Sequence, residues 1–222
     1  MSIYFAGFVV FLLSYLLGCL NGAVITSHFV IRDDVRSHGS GNAGLTNFYR
    51  TYGARYAVLV VLCDMGKTAA AVLLGGHMFS VLFNDWTLGA LLGGAGAVVG
   101  HIFPVFYGFK GGKGILSGGM LLILLDWRIA LVSWGLFILL SVLTKYVSLG
   151  SLAATASFPI TAFFVYDHNM VYTVLSVLVA ALVIYSHRAN VKRLLSGTES
   201  KFHRHQKAPT AAQEDEPKEN EN

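Results

Sequence analysis

The sequence predicts an all-α integral membrane protein, a seven-span helical bundle with its N-terminus outside and its C-terminus in the cytoplasm. Three observations predict it. The 222 residues are 55% hydrophobic and 13% charged, whereas a soluble domain carries about 25% charged residues. The apolar residues gather in runs, several close to the roughly 20 residues that a bilayer-crossing helix needs. The basic residues between those runs fall in alternate connections, as the positive-inside rule requires of cytoplasmic loops.

Taken in order, the first run is about Ile3–His28. It is longer than a signal-peptide core, has no basic segment before it and no clear cleavage site, so it is expected to remain as a membrane helix. Ala54–Gly76 and Trp86–Val105 follow. Ile115–Leu125 is short, and Asp126-Trp127-Arg128 separates it from Ile129–Thr144. Val147–Tyr166 and Met170–Ser186 complete the set. Arg32, Arg36 and Arg50 follow the first run, Lys110 and Lys113 the third, Lys145 the fifth, and Arg188, Lys192 and Arg193 the seventh. The other three connections hold only Arg128. Merging the fourth and fifth runs would put the basic C-terminal segment opposite Lys110 and Lys113, so seven spans fit the charges better than six.

Residues 1–199 are expected to form the membrane domain, with Arg188–Leu195 near the headgroups, where Lys192 and Arg193 favour anionic lipid. From Ser200 the chain is polar, and Thr210–Asn222, rich in Glu, Asp, Gln and Asn, is expected to be a disordered cytoplasmic tail. Cys19 and Cys63 both lie in apolar runs and give neither a disulfide framework nor metal spacing. Gly89, Gly93, Gly96 and Gly100 form a small-residue stripe suited to close helix packing.

The chemistry gathers in the basic connections. Gly108-Phe109-Lys110-Gly111-Gly112-Lys113-Gly114 sets four glycines and two lysines in seven residues. Such a loop can aim backbone N–H groups and ammonium charge at one phosphate. It is not a Walker A loop, because the spacing differs and neither Ser nor Thr follows Lys113. Gly39-Ser40-Gly41-Asn42-Ala43-Gly44-Leu45-Thr46-Asn47, followed by Arg50, offers a second anion site. A helix starting near Leu45 would present its free N–H groups there, with Thr46 and Arg50 on one face. His101, Ser148 with Ser151, and His187 with Asn190 stand at the ends of other runs on the same predicted side. Within the second run, Asp64 and Lys67 are spaced to pair, which lowers the cost of placing charge at membrane depth. The sequence has no GxSxG elbow, HExxH helix or dinucleotide glycine motif. Read from residues alone, these loops suit either an enzyme or a membrane carrier for a phosphate-bearing solute.

In this order, these motifs resemble the bacterial membrane acyl-phosphate:glycerol-3-phosphate acyltransferases, often called PlsY. The resemblance rests on Gly39–Asn42 with Thr46, Asn47 and Arg50; Gly100–Val105 with Phe109–Gly114; Ser148–Ser151; and His187, Arg188, Asn190 and Arg193–Leu195. It covers about residues 3–202. It implies a seven-span enzyme that moves a fatty acyl group from acyl phosphate to the 1-hydroxyl of glycerol 3-phosphate, giving lysophosphatidic acid and phosphate. By the same resemblance Ser40, Arg50, Lys113, His187 and Asn190 hold glycerol 3-phosphate, and Thr46, Ser151 and the Gly111-Gly112 backbone hold the acyl-phosphate headgroup. Asn42, Asn47 and His101 are further substrate-binding candidates. No cofactor, metal or nucleic acid is implied. The expected setting is the bacterial inner or plasma membrane, with the site on the cytoplasmic side of a monomer. Acyl phosphate is already activated, so direct attack by the glycerol hydroxyl is expected. His101, His187 and a substrate phosphate oxygen are the candidate bases.

Overall fold

In the computed structural model, which describes residues 1–202, each apolar run is helical. The helices are α1 Ile3–Gly18, α2 Gly22–Thr26, α3 Leu45–Tyr52, α4 Ala54–Phe83, α5 Trp86–Ile102, α6 Ile115–Leu125, α7 Trp127–Thr144, α8 Val147–Val165, α9 Met170–Ser186 and α10 Arg188–Leu195. There is no strand among the described residues. Five stretches are long and apolar enough to cross a membrane: Ile3–Ile31, Ala54–Phe83, Trp86–Tyr107, Trp127–Thr144 and Val147–Val165. Counting α9 and α10, which meet at 60°, as one broken span makes six. At 11 residues, α6 is shorter than these. The expected tail lies largely outside the described residues, but its first three, Ser200 to Phe202, are described and engaged with the bundle.

Three details differ from the sequence reading. The first run is broken at Cys19–Asn21, where Asn21 caps α2 by accepting from Val24 N. It continues into a π-helical turn over Ser27–Ile31. The second run extends to Phe83, where Asn84 turns the chain in the left-handed region. The third run ends as helix at Ile102, and Val105–Tyr107 forms a separate 3₁₀ turn. The break at Asp126 is present as expected: its carboxylate accepts from Arg128 N and starts α7.

Helix α5 is the centre of the bundle. Its glycine stripe serves two neighbours. A Cβ on Gly89 or Gly93 would run into the backbone of α4 at Gly75 or Ala71, and one on Gly96 or Gly100 into the backbone of α1 at Phe11 or Tyr15. Small residues thus bring both helices into backbone contact with α5, where dispersion, not exclusion of water, holds apolar helices together in lipid. Leu91, Val98 and Ile102 of α5 join Leu121, Leu125 and Ile129 of α6 and α7, Phe158 of α8 and Val183 of α9 in the largest apolar core. Large apolar side chains such as Phe8, Leu62, Val81, Leu143 and Phe164 stay exposed, as suits a surface solvated by acyl chains.

Candidate active site

The glycine–lysine loop is folded back onto the end of α5. Gly111 N donates to Ile102 O at 3.2 Å and Gly112 N to His101 O at 3.1 Å. These contacts require glycine at 112: a Cβ there would overlap His101 Nε2 and approach Ala43 O to 2.9 Å. Gly114 then takes φ +85°, which a side chain disfavours, and starts α6. Gly111 and Gly112, expected to offer amides to a phosphate, here turn those amides to α5, and the glycines are needed for close approach. Lys113 is the residue the folded-back loop presents.

The Gly39–Gly44 loop is pinned from below by Asn47. Asn47 Oδ1 accepts from Ser40 N at 3.0 Å, and its Nδ2 donates to Val35 O at 3.1 Å and His38 O at 3.0 Å. Asn47, expected as a substrate contact, is buried, and its amide is engaged inside the loop, which it shapes. Asn42 Nδ2 reaches Gly111 O at 3.4 Å and Asn21 Nδ2 reaches Ala43 O at 3.1 Å. The two anion-suited loops are thereby tied to each other and to the break between α1 and α2.

From the far end of the chain, α9 and α10 close the other side. Lys113 Nζ donates to Asn190 Oδ1 at 2.5 Å, and Ser186 Oγ donates to Lys113 O at 3.0 Å. Asn190 Nδ2 donates to Glu199 Oε1 and Arg193 Nε to Glu199 Oε2, each at 2.7 Å. His187 Nδ1 lies 2.8 Å from Val183 O. A carbonyl can only accept, so Nδ1 carries the proton and Nε2 keeps its lone pair. Arg50 Nη2 donates to Ser200 O, Phe202 N donates to Lys145 O, and the Phe202 ring stacks on Tyr49.

These groups line one cleft of about 1190 Å³. Ser40, Asn42, Thr46, Asn47, Arg50, His101, Lys113, Ser151, His187 and Asn190 all lie on its wall, while Gly111 and Gly112 do not. Lys145, Arg193 and Glu199 join them. The sequence reading did not count these three as site residues. In the sequence Lys145 reads as a topology charge and Arg193 as part of the motif that follows the seventh run. Glu199, a lone acid just before the polar tail, gave no spacing signal. Ser151 donates its hydroxyl proton to Val147 O, leaving lone pairs to face the cleft. Burial and the nearby Arg193 charge, opposed by Glu199 and assisted by Arg50, push the Lys113 ammonium down to about 8. Burial pushes the Glu199 carboxyl up, but hydrogen bonds from Asn190 and Arg193 outweigh it and hold the group below its usual range. Gly114, Ile115, Trp134 and Phe137 line both this cleft and a neighbouring apolar cavity of about 50 Å³ between α6, α7, α8 and α9.

Behind the loop lies a buried charged cluster. Lys67 Nζ is 2.8 Å from Asp64 Oδ1, 2.8 Å from Leu20 O and 3.0 Å from His101 Nδ1. The pairing expected of Asp64 and Lys67 is present.

Long apolar helices and a cleft lined by several cations are the architecture of an integral membrane protein with a site suited to anions. Comparison narrows the class. The profile of the family described as "Glycerol-3-phosphate acyltransferase" matches residues 8–197, and the chain belongs to that family. It is 37% identical over 191 residues to the glycerol-3-phosphate acyltransferase of Thermoanaerobacter pseudethanolicus, covering 86% of this chain and 93% of that one. To the protein of the same name from Prochlorococcus marinus it is 36% identical over 199 residues, covering 89% and 98%. Among solved structures it is similar to PlsY (YgiH), an integral membrane glycerol 3-phosphate acyltransferase. The glycerol 3-phosphate form gives a TM-score of 0.78 at 33% identity, covering 89% of this chain and 96% of that one. The lysophosphatidic acid form gives 0.76 at 31%, covering 89% and 95%. The chain is thus a bacterial membrane acyltransferase of the glycerol-3-phosphate family.

Proposed function

We propose that this protein transfers a fatty acyl group from acyl phosphate to the 1-hydroxyl of glycerol 3-phosphate without an acyl-enzyme, in a seven-span topology with the cleft on the cytoplasmic side. One observation carries the reading: Arg50, Lys113, Asn190 and Arg193, from distant segments, converge on a single cleft that shares part of its wall with an apolar cavity. Two phosphorylated reactants need such clustered cations, and a fatty acyl tail needs an apolar surface beside them. The solved structures of the similar PlsY, in glycerol 3-phosphate and lysophosphatidic acid forms, support the acceptor and the product.

In this reading Ser40, Arg50, Lys113 and Asn190 hold the glycerol 3-phosphate, and Thr46 and Ser151 contact the acyl-phosphate headgroup. His187 Nε2, with its lone pair free, accepts the proton of the 1-hydroxyl. The hydroxyl oxygen bonds to the acyl carbon, the bond from that carbon to the bridging phosphate oxygen breaks, and phosphate leaves with the electron pair. Lys113 and Arg193 face the negative charge that develops. Positioning and fixed charge supply most of the rate. The protein acts as a monomer in the bacterial inner or plasma membrane, with the acyl tail lying toward lipid.

Purified protein in lipid nanodiscs is given palmitoyl phosphate, with and without glycerol 3-phosphate. Phosphate release that depends on glycerol 3-phosphate and matches lysophosphatidic acid formation is expected. No release, with phosphate-solute flux across sealed vesicles, would establish a carrier instead.

A further inference from the structure

The cluster behind the glycine–lysine loop determines what His101 can do. An ammonium group has three hydrogens. Those of Lys67 have three acceptors: Asp64 Oδ1, Leu20 O and His101 Nδ1, at 2.8, 2.8 and 3.0 Å. A proton on His101 Nδ1 would point an N–H at an ammonium group. Asp64 Oδ1, the other acceptor that such a proton could find, is farther away at 3.4 Å, and it already takes Lys67 and Gly22 N. Nδ1 is therefore an acceptor, and the ring proton sits on Nε2. His101 is only 3% exposed. His101 is among the residues lining the cleft; its Nε2 lies against the Gly112 backbone where a Cβ cannot fit, and its side-chain contacts among the described residues, to Lys67 and Asp64, are made by Nδ1.

We propose that Lys67, anchored by Asp64, is a positioning residue that fixes His101 as a hydrogen-bond donor at Nε2 toward an oxygen of the acyl-phosphate headgroup above the glycine–lysine loop. His101 is then not the base. The two cleft histidines are held in opposite tautomers: His187 presents a lone pair at Nε2 and His101 presents a proton there. This deepens the proposed function and rests on it for the identity of the donor's ligand.

The test has a spectroscopic arm and a kinetic arm. The full-length protein, with ¹⁵N in its histidine rings, is placed in nanodiscs, and His101 is assigned by its loss in His101→Gln. The wild-type ring is expected to carry its proton on Nε2 with Nδ1 bare. Asp64→Asn/Lys67→Met, which removes the pair without leaving a lone buried charge, is expected to lose that preference. It should also lower kcat/KM for acyl phosphate by about 10- to 100-fold, the scale of one hydrogen bond to a charged group, with the KM for glycerol 3-phosphate within about threefold. His101→Gln, which keeps an N–H donor near Nε2, should be at least about tenfold more active than His101→Leu. A bare Nε2 in the wild type, or equal loss in His101→Gln and His101→Leu, would overturn the assignment. If wild-type protein turns over no acyl phosphate at all, the proposed function fails, while the ring spectrum still decides the Lys67–His101 relationship.

Discussion

Lys113, on the loop before α6, and Asn190, on α10, meet at 2.5 Å across 77 positions of sequence. Lys113 Nζ is the donor and Asn190 Oδ1 the acceptor, while the other end of the Asn190 amide donates to Glu199. Asn190 therefore aims the ammonium group, and Glu199 aims Asn190. Lys113→Met should lower kcat by about 10²–10³-fold, the usual loss when a group that stabilises developing charge is removed. Asn190→Ala should lower it less, and the double variant should fall short of the product of the two single losses, because they disable one unit. Steady-state turnover checks this; additive losses would separate the two residues functionally.

The depressed Lys113 ammonium gives a pH dependence with a definite sign. Only the protonated form attracts phosphate, and in the free protein that form is lost as pH rises through about 8. Glycerol 3-phosphate gains its second negative charge near pH ~6. The KM for glycerol 3-phosphate should be lowest between these values and climb about tenfold per unit above about 8. Measured KM against pH checks it, and Lys113→Arg should move the upper limb to higher pH.

Where the acyl tail runs can be probed at Gly118. This residue lines the apolar cavity, and a Cβ added to it meets nothing within 4 Å. Gly118→Leu should fold and should fill that space. Turnover of a palmitoyl donor should drop at least about tenfold relative to an octanoyl donor, since displaced methylenes are worth about 0.8 kcal/mol each. An unchanged chain-length profile would place the tail elsewhere.

The fold of the glycine–lysine loop predicts that Gly112→Ala is severe although the residue is off the cleft wall. Its methyl group would collide with the His101 ring and approach Ala43 O, and overpacking of that kind typically costs about 1–3 kcal/mol. Turnover should fall at least about tenfold with the protein still folded. Normal activity would show that the loop need not lie against α5.

The apolar helices were legible because lipid requires long runs of nonpolar side chains, and Asp126 marked a helix break by its chemistry. The breaks at Cys19–Asn21 and the extension of α4 to Phe83 were not legible, since apolar composition does not record where a helix bends. At the site, Arg50, Lys113 and Asn190 could be picked out as cations and amides in glycine-rich surroundings. The roles of Gly111, Gly112 and Asn47 could not. Glycine serves equally to free an amide or to let two backbones touch, and an Asn side chain serves equally a substrate or its own loop. Glu199 escaped notice because its meaning comes from Asn190 and Arg193, which only the bend between α9 and α10 brings to it.

The central claim, that two phosphorylated substrates share this cleft and react directly, is tested by a single-turnover experiment with protein in excess over palmitoyl phosphate. Before glycerol 3-phosphate is added, intact mass should show no acyl adduct and no phosphate should appear; on addition, lysophosphatidic acid and phosphate should form together in equal amounts. An acyl-protein adduct formed with phosphate release before the acceptor arrives, above all one abolished by Cys19→Ser or Cys63→Ser, would contradict it.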